Sequence, residues 1–283
     1  MSAEPRILLE TRDLLGEGPI WDASDQRLYW VDIHGRAIHR YEPSTGDHRR
    51  WELPVRPSAL ARCADRQALV VAAEHGLGFF DLVSERWSPW LQLEDPTTHP
   101  ENRTNDGRCG PDGAFWVGTM HDAVAERSGS LYRIDSEGSV EVLLEGLGIP
   151  NTLAWGNNSF YFGDSLDGAV RRYPSAGPGP SGVGEEFFTL PPGDACPDGS
   201  AIDAEGRLWT CVWDGGRVDC HAADGSLVRS VPLPVQRPTS CAFGGPELDR
   251  LFITSSGKDL PAPNGALLVI DGLCRGLAEP LFG

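Results

Sequence analysis

Four oxygen-bearing side chains recur at one place in a repeating pattern: Glu17 in LGEGP, Asn105 in TNDG, Asn151 in IPNT and Asp198 in CPDG. Each stands 10 to 13 residues ahead of an aromatic residue in a short apolar run: Trp30, Trp116, Tyr161 and Trp209. Singly, each has an ordinary explanation. Such residues form turns, and Asn105-Asp106-Gly107 reads as a tight turn that Asp106 supports rather than as a ligand pair. Brought into one volume, two carboxylates and two carboxamides repel and leave polar groups unpaired unless a cation satisfies them. Oxygen donors without His or Cys suit a hard divalent ion such as Ca²⁺, Mg²⁺ or Mn²⁺. A small protein ligand set leaves positions open for water and substrate, which is catalytic in character.

A repeat could bring the four together. The runs RLYWVD (27–32), ALVVAA (68–73), AFWVGT (114–119), SFYFGD (159–164), RLWTCV (207–212) and RLFITS (250–255) share one form. Their central residues, Trp30, Val70, Trp116, Tyr161, Trp209 and Phe252, are spaced 40, 46, 45, 48 and 43 apart. The fifth unit shows four short strands, SAID, RLWTCV, GRVDCHA and LVRSVPL, divided by the turns AEG, DGG and ADGS. Helical periodicity is not sustained anywhere. The pattern predicts an all-β, six-bladed β-propeller with four-stranded blades, one domain over residues 1–283. The first strand of each blade would line a central channel. Glu17, Ser58, Asn105, Asn151, Asp198 and Ser240 would then ring one mouth of it. The last unit runs short after GALLVID (265–271), so RILLET (6–11) is expected to supply its outer strand and pair the open edge. The stretch SAGPGPSGVG (175–184) reads as an exposed loop between strands. Trp30, Trp116 and Trp209 read as packing between blades. Of the less regular Trp21, Trp155 and Trp213, one is expected to border the mouth.

A formal net charge of −17 disfavours nucleic acid and anionic membrane surfaces as partners. No apolar run approaches the roughly 18 residues of a membrane helix. MSAEPRILLE lacks the basic end and apolar segment of a signal peptide, so a cytoplasmic protein is expected. Seven cysteines (63, 109, 196, 211, 220, 241, 274) form no C-x-x-C pair and are expected as reduced thiols. Cys211 and Cys220 are placed to face each other across a hairpin turning at Gly215-Gly216.

The stretches LGEGPIWD (15–22), LYWVDI (28–33), NRTNDGRCGPDGAFWVGTM (102–120), PDGSAIDAEGRLW (197–209), GGRV (215–218) and TSCAFGG (239–245) run through nearly the whole chain. They resemble the family of regucalcin (senescence marker protein), gluconolactonase and luciferin-regenerating enzyme. GTMHD followed by SGSLYRID looks closer to bacterial sugar lactonases than to animal regucalcin. The resemblance implies a propeller carrying one catalytic divalent metal and hydrolysing an aldono-lactone of the gluconolactone, xylonolactone or arabinonolactone type. It places the metal on Glu17, Asn151 and Asp198, with Asp198 also the general base. Arg103 and Asn105 would contact substrate, and His121 joins them as a candidate. Ca²⁺ is the first expectation for the ion, with Zn²⁺, Mg²⁺, Mn²⁺ and Fe²⁺ as alternatives. Regucalcin-like members carry acidic residues after GTM, one at the position of Ala123, where this chain has His121-Asp122-Ala123; the difference bears on the substrate. Two other readings stay open: a metal-dependent phosphotriesterase or esterase, and a regucalcin-like calcium-binding protein without turnover. The expected partner is a small sugar lactone, and the expected state a monomer or weak oligomer.

Overall fold

The computed structural model describes residues 4–175, 179–180, 182–193 and 195–283. Short apolar runs bounded by Gly, Asp and Asn turns pair with their sequence neighbours into six antiparallel sheets of four strands. The first strand, β1 (Arg6–Leu9), stands apart from those that follow it. Blade 1 holds β2 (Gly16–Asp22), β3 (Arg27–Asp32), β4 (Ala37–Glu42) and β5 (Asp47–Glu52). Blade 2 holds β6 (Pro57–Arg62), β7 (Ala68–Ala73), β8 (Gly76–Asp81) and β9 (Arg86–Gln92). Blade 3 holds β10 (Asn102–Cys109), β11 (Phe115–His121), β12 (Gly129–Ile134) and β13 (Val140–Leu147). In blade 4 are β14 (Pro150–Gly156), β15 (Ser159–Asp164), β16 (Ala169–Pro174) and β17 (Glu185–Thr189). In blade 5 are β18 (Cys196–Ile202), β19 (Leu208–Trp213), β20 (Arg217–His221) and β21 (Leu227–Pro232). Blade 6 joins β22 (Pro238–Gly244), β23 (Arg250–Ser255) and β24 (Leu267–Asp271) to β1, whose Arg6 lies opposite Val269. The strand expected from RILLET thus closes the ring, pairing the edge of β24 as the fourth, outer strand of the last blade.

Burial follows the radial position of each strand. The first two strands of every blade are almost wholly buried, whereas β5, β9 and β21 are largely exposed. The core is shared between blades. Val31, Ile38, Leu60, Val71 and Phe80 join blades 1 and 2, while Trp21, Trp30, Phe252 and Val269 join blades 1 and 6. Trp30, Trp116 and Trp209 are all buried in such clusters. Burying each large side chain contributes roughly 1.5–3 kcal/mol.

Every first strand breaks register with its second strand near the start, between Glu17 and Ile20 in blade 1, Thr104 and Gly107 in blade 3, Asn151 and Ala154 in blade 4, and Pro197 and Ser200 in blade 5. A bulge inserts an unpaired residue and re-aims side chains. This corrects the turn expected at Asn105-Asp106-Gly107: the triplet is the bulge of β10, and the chain runs on through it as strand. Blades approach so closely here that a Cβ on Gly199 would lie 2.1 Å from Ser240 Oγ and 2.8 Å from its Cα.

A second correction concerns the cysteines. All seven are free. The register of β19 and β20 sets Cys211 opposite Val218 and Cys220 opposite Trp209. The hairpin pivots nearer Asp214 than expected, so the two thiols are offset along the ladder. Of SAGPGPSGVG, residues 176–178 and 181 lie outside the described residues; Ser175 and Val183 are exposed.

Past β24 the chain crosses the far end of the channel. Gly276 bridges to Asp203 in blade 5 and Phe282 to Cys63 in blade 2, and Gly283 N–H donates to Gly113 O at 3.1 Å in blade 3. Phe282 is buried against Phe79 and Trp90.

Candidate active site

The strand order decides which loops meet. Each first strand starts at the mouth face, so the loops after second strands and before first strands gather there: 33–36, 74–75, 122–128, 165–168, 214–216 and 256–266 among the former. They surround a cavity of about 150 Å³ lined by Glu17, Arg103, Asn105, Asn151 and Asp198, with Leu15, Met120, Ile149, Ser165, Cys196 and Trp213. Four of the six expected ring positions therefore line it. Ser58 donates to Thr104 Oγ1 at 2.8 Å and Ser240 is buried beside Gly199, so neither is among the lining residues. His121 is not among them either; it ends β11 opposite Asn102, with Nδ1 accepting from Ala123 N–H at 3.2 Å. Trp213 is the irregular tryptophan at the mouth. Trp155 lines a cavity with the C-terminal segment at the other end, and Trp21 stacks on Phe252.

Hydrogen bonds set the orientation of the amides. Asn105 Nδ2 donates to Pro150 O at 3.0 Å and to Asn151 Oδ1 at 3.3 Å; Asn151 Nδ2 donates to Ser165 Oγ at 2.9 Å. Ser165 in turn donates to Pro197 O at 2.6 Å, tying blades 3, 4 and 5 together around the cavity. Arg103 donates through Nε to Asp122 Oδ1 at 2.6 Å and through Nη1 to Asn105 Oδ1 at 2.8 Å, so its guanidinium plane is held beside the cavity. Asp122 also accepts from Arg56 at 2.7 Å. Partial burial opposes its ionisation, but the hydrogen bonds from Arg56 and Arg103 prevail and hold it at about 2. The acidic residue of the His121-Asp122-Ala123 segment is thus spent on orienting Arg103.

The carboxylates are the strained part. Burial, then Asp106, pushes Glu17 up to about 8. Asp106 itself is pushed up to about 6 by burial. Asp198 is raised well above the usual range by burial, then by Glu17 and Asp106. Its Oδ1 is buried without a hydrogen-bond partner, while Glu17 Oε2 accepts only Gly18 N–H in its neighbourhood, at 3.1 Å. Three carboxylates with an orphaned oxygen form a set that a divalent cation relieves. Among the described residues no three His, Cys, Asp or Glu side chains form a metal site by themselves. The fit uses the Asn151 carboxamide oxygen with Glu17 and Asp198, an all-oxygen set suited to a hard ion.

The sequence reading gave Asp106 only the support of a turn and missed Arg108. Asp106 points inward because of the bulge, which no local pattern announces. Arg108, its side chain 12% exposed, donates to Ser200 O at 2.6 Å and Cys241 O at 3.2 Å, with Nε 3.7 Å from Glu279 Oε2 of the C-terminal segment. It supplies the countercharge felt by Asp106. An Arg two residues after a buried Asp in a strand was the available signal.

Comparison with known proteins shows the family and the fold. Residues 15–257 match the SMP-30/Gluconolactonase/LRE-like region. The chain is 34% identical over 257 residues to the pentonolactonase XacC of Haloferax volcanii, covering 89% of this chain and 85% of that protein. It is 31% identical over 295 residues to the 6-deoxy-6-sulfogluconolactonase of Pseudomonas putida, covering 100% and 99%. The fold superposes on a calcium-binding protein, regucalcin, from Agrobacterium tumefaciens with a TM-score of 0.91, at 31% identity over 98% of this chain and 97% of that one.

Proposed function

The chain belongs to the SMP-30/gluconolactonase/LRE-like family of sugar lactonases and is a lactone hydrolase; from this premise we propose that it opens an aldono-lactone with one divalent cation held by Glu17, Asn151 and Asp198. The observation that carries the reading is the buried, unpartnered Asp198 Oδ1 in a cavity shared with the Glu17 carboxylate, with the Asp106 carboxylate close enough to raise Asp198 further. A cation held by these residues would supply Lewis-acid polarisation of the lactone carbonyl and offset charge developing on its oxygen. Ca²⁺ is the ion proposed first, on the all-oxygen donor set and the superposition on a protein named for binding calcium.

The chain's own groups account for the remaining steps. Asp198 takes a proton from water as its oxygen attacks the carbonyl carbon, and returns that proton to the ring oxygen when the C–O bond breaks. The product is an aldonic acid, ionised at neutral pH. Asp198 must be ionised to act as a base, which burial, Glu17 and Asp106 by themselves disfavour and a cation held there would favour. Arg103, its plane fixed by Asp122, donates to substrate oxygens across the cavity, with Asn105 at its side. Met120, Ile149, Leu15 and Trp213 supply the apolar wall against which a sugar ring packs. The relatives' names span pentonolactones and a sulfonated gluconolactone, so kinship sets the class of substrate and leaves the sugar open.

The test is proton release in a pH-stat from a panel of aldono-lactones, with chelator-stripped protein, single divalent ions restored, and Asp198→Asn alongside. The expected result is metal-dependent hydrolysis falling at least about 100-fold in the variant, as loss of a general base gives. Hydrolysis no faster than the spontaneous rate with every ion would overturn the proposal.

A further inference from the structure

We propose that the cavity rim selects lactones bearing an anionic group (sulfonate, phosphate or carboxylate) on the carbon farthest from the carbonyl, and that Lys258 receives that group. The proposal rests on the lactonase reading and adds the charge of the substrate to it.

Lys258 is the only lysine in a chain whose other cationic side chains are arginines. It lies in the 256–266 loop between β23 and β24, one of the loops that the strand order places on the mouth face. Its N–H donates to Leu14 O at 3.2 Å, beside Leu15 of the cavity wall. Its C=O accepts from Arg237 Nη1 at 3.2 Å. Arg237 lies 5.1 Å over the ring of Trp213, another wall residue. The loop is therefore anchored to the cavity on both sides.

Most other rim cations are committed; exposed Arg36 in the 33–36 loop, like Lys258, makes no ion pair among the described residues. Arg103 and Arg56 pair with Asp122, and Arg237 pairs with Asp214 at 2.8 Å. Lys258 is exposed and makes no ion pair among the described residues. Half-buried His34, in the 33–36 loop, marks where the fields meet. Burial lowers its pKa first, then Lys258 and Arg103, with Asp122 opposing and Arg56 adding to them. His34 thus lies within the field of the free ammonium and of the substrate-facing guanidinium. Deeper in, Arg108 balances Asp106, and a bound divalent cation offsets Glu17 and Asp198. The unpaired ammonium of Lys258 stands on the mouth face of a protein of net charge −17, with exposed Asp259 as its chain neighbour. A neutral sugar lactone leaves this ammonium to water. An anionic arm gains a charge-assisted hydrogen bond, which converts to roughly tenfold to hundredfold in kcat/KM.

The experiment measures kcat/KM for glucono-δ-lactone and for its analogues with a sulfonate, phosphate or carboxylate at carbon 6, using the metal-loaded parent, Lys258→Met and Lys258→Arg. The parent is expected to favour at least one anionic lactone about tenfold or more. Lys258→Met should reduce that ratio about tenfold, chiefly through KM, and Lys258→Arg should retain it. The three anionic arms separate the possible sources of the charge. Equal kcat/KM for neutral and charged lactones in the parent, or a preference that survives Lys258→Met, overturns the proposal. Calorimetric binding of gluconate and 6-phosphogluconate to the same three proteins reads the preference without turnover. Failure of hydrolysis with a charge preference in binding removes the lactonase reading alone; equal binding of the two aldonates, with active enzyme, removes this one.

Discussion

Replacing Glu17 by Gln should make the metal-free protein less sensitive to pH, because it removes a carboxyl that the fold forces to stay protonated. Burial and Asp106 raise Glu17 from 4.5 to about 8. Between those values the folded protein holds a proton that the unfolded chain has released. Stability from this group is therefore complete below pH 4.5 and is lost as pH rises through about 8. Integrated between pH 5 and pH 8, the loss from Glu17 is about 3–4 kcal/mol. Equilibrium urea denaturation in EDTA, at unit pH steps for the parent and Glu17→Gln, measures it. The difference between the two curves reads Glu17 together with its effect on Asp198, whose carboxyl Glu17 helps to raise. Elsewhere in blade 1, burial pushes Asp13 up to about 7 and His39 down to about 3, but both titrate in parent and variant alike. Adding Ca²⁺ should flatten the parent's slope, since the ion displaces the protons, and should do far less for the variant. Parallel curves in EDTA would refute the reasoning: Glu17 would then be solvated, and the crowding of carboxylates that supports a metal site would not exist.

Two further outcomes test the far end of the channel. Arg108→Met leaves Asp106 and Glu279 without their shared countercharge and should cost about 3–5 kcal/mol in the urea midpoint at pH 7; a loss below about 1 kcal/mol would mean that the guanidinium is not what compensates Asp106. Phe282→Ala removes the ring that anchors the C-terminal segment against Phe79 and Trp90 and should cost about 3–4 kcal/mol. Limited proteolysis should then release the segment beyond β24, and an unchanged digestion pattern would show that the polar contacts hold it without the ring.

The architecture was legible because its signals are local. Alternating apolar runs, Gly/Asp turns and a repeat of 40–48 residues express backbone sterics and side-chain period, and these depend on near neighbours in the chain. The same regularity exposed Glu17, Asn105, Asn151 and Asp198, each at a nearly constant offset from a buried second-strand residue. Ser58 and Ser240 share the offset and are nonetheless turned to hydrogen bonding and packing within the wall. Cys211 and Cys220 were misaligned because a hairpin's register rests on where its turn pivots, and Gly215-Gly216 allowed more than one pivot.

Residue types and their recurrence, and with them the blade and the list of available oxygens, were determined by the sequence itself. Which charges are paired was decided only by the tertiary structure. Asp106 turns inward through a bulge, Arg108 finds carbonyls from Ser200 and Cys241 in two other blades, and Lys258 is left without an acid while Arg56, Arg103 and Arg237 each have one. Hydrogen bonds and short-range Coulomb interactions act over a few ångströms in space, and burial depends on what every other segment covers. A carboxylate's pKa, or a lysine's freedom to meet a substrate, is therefore a property of the assembled neighbourhood and not of the position in the chain.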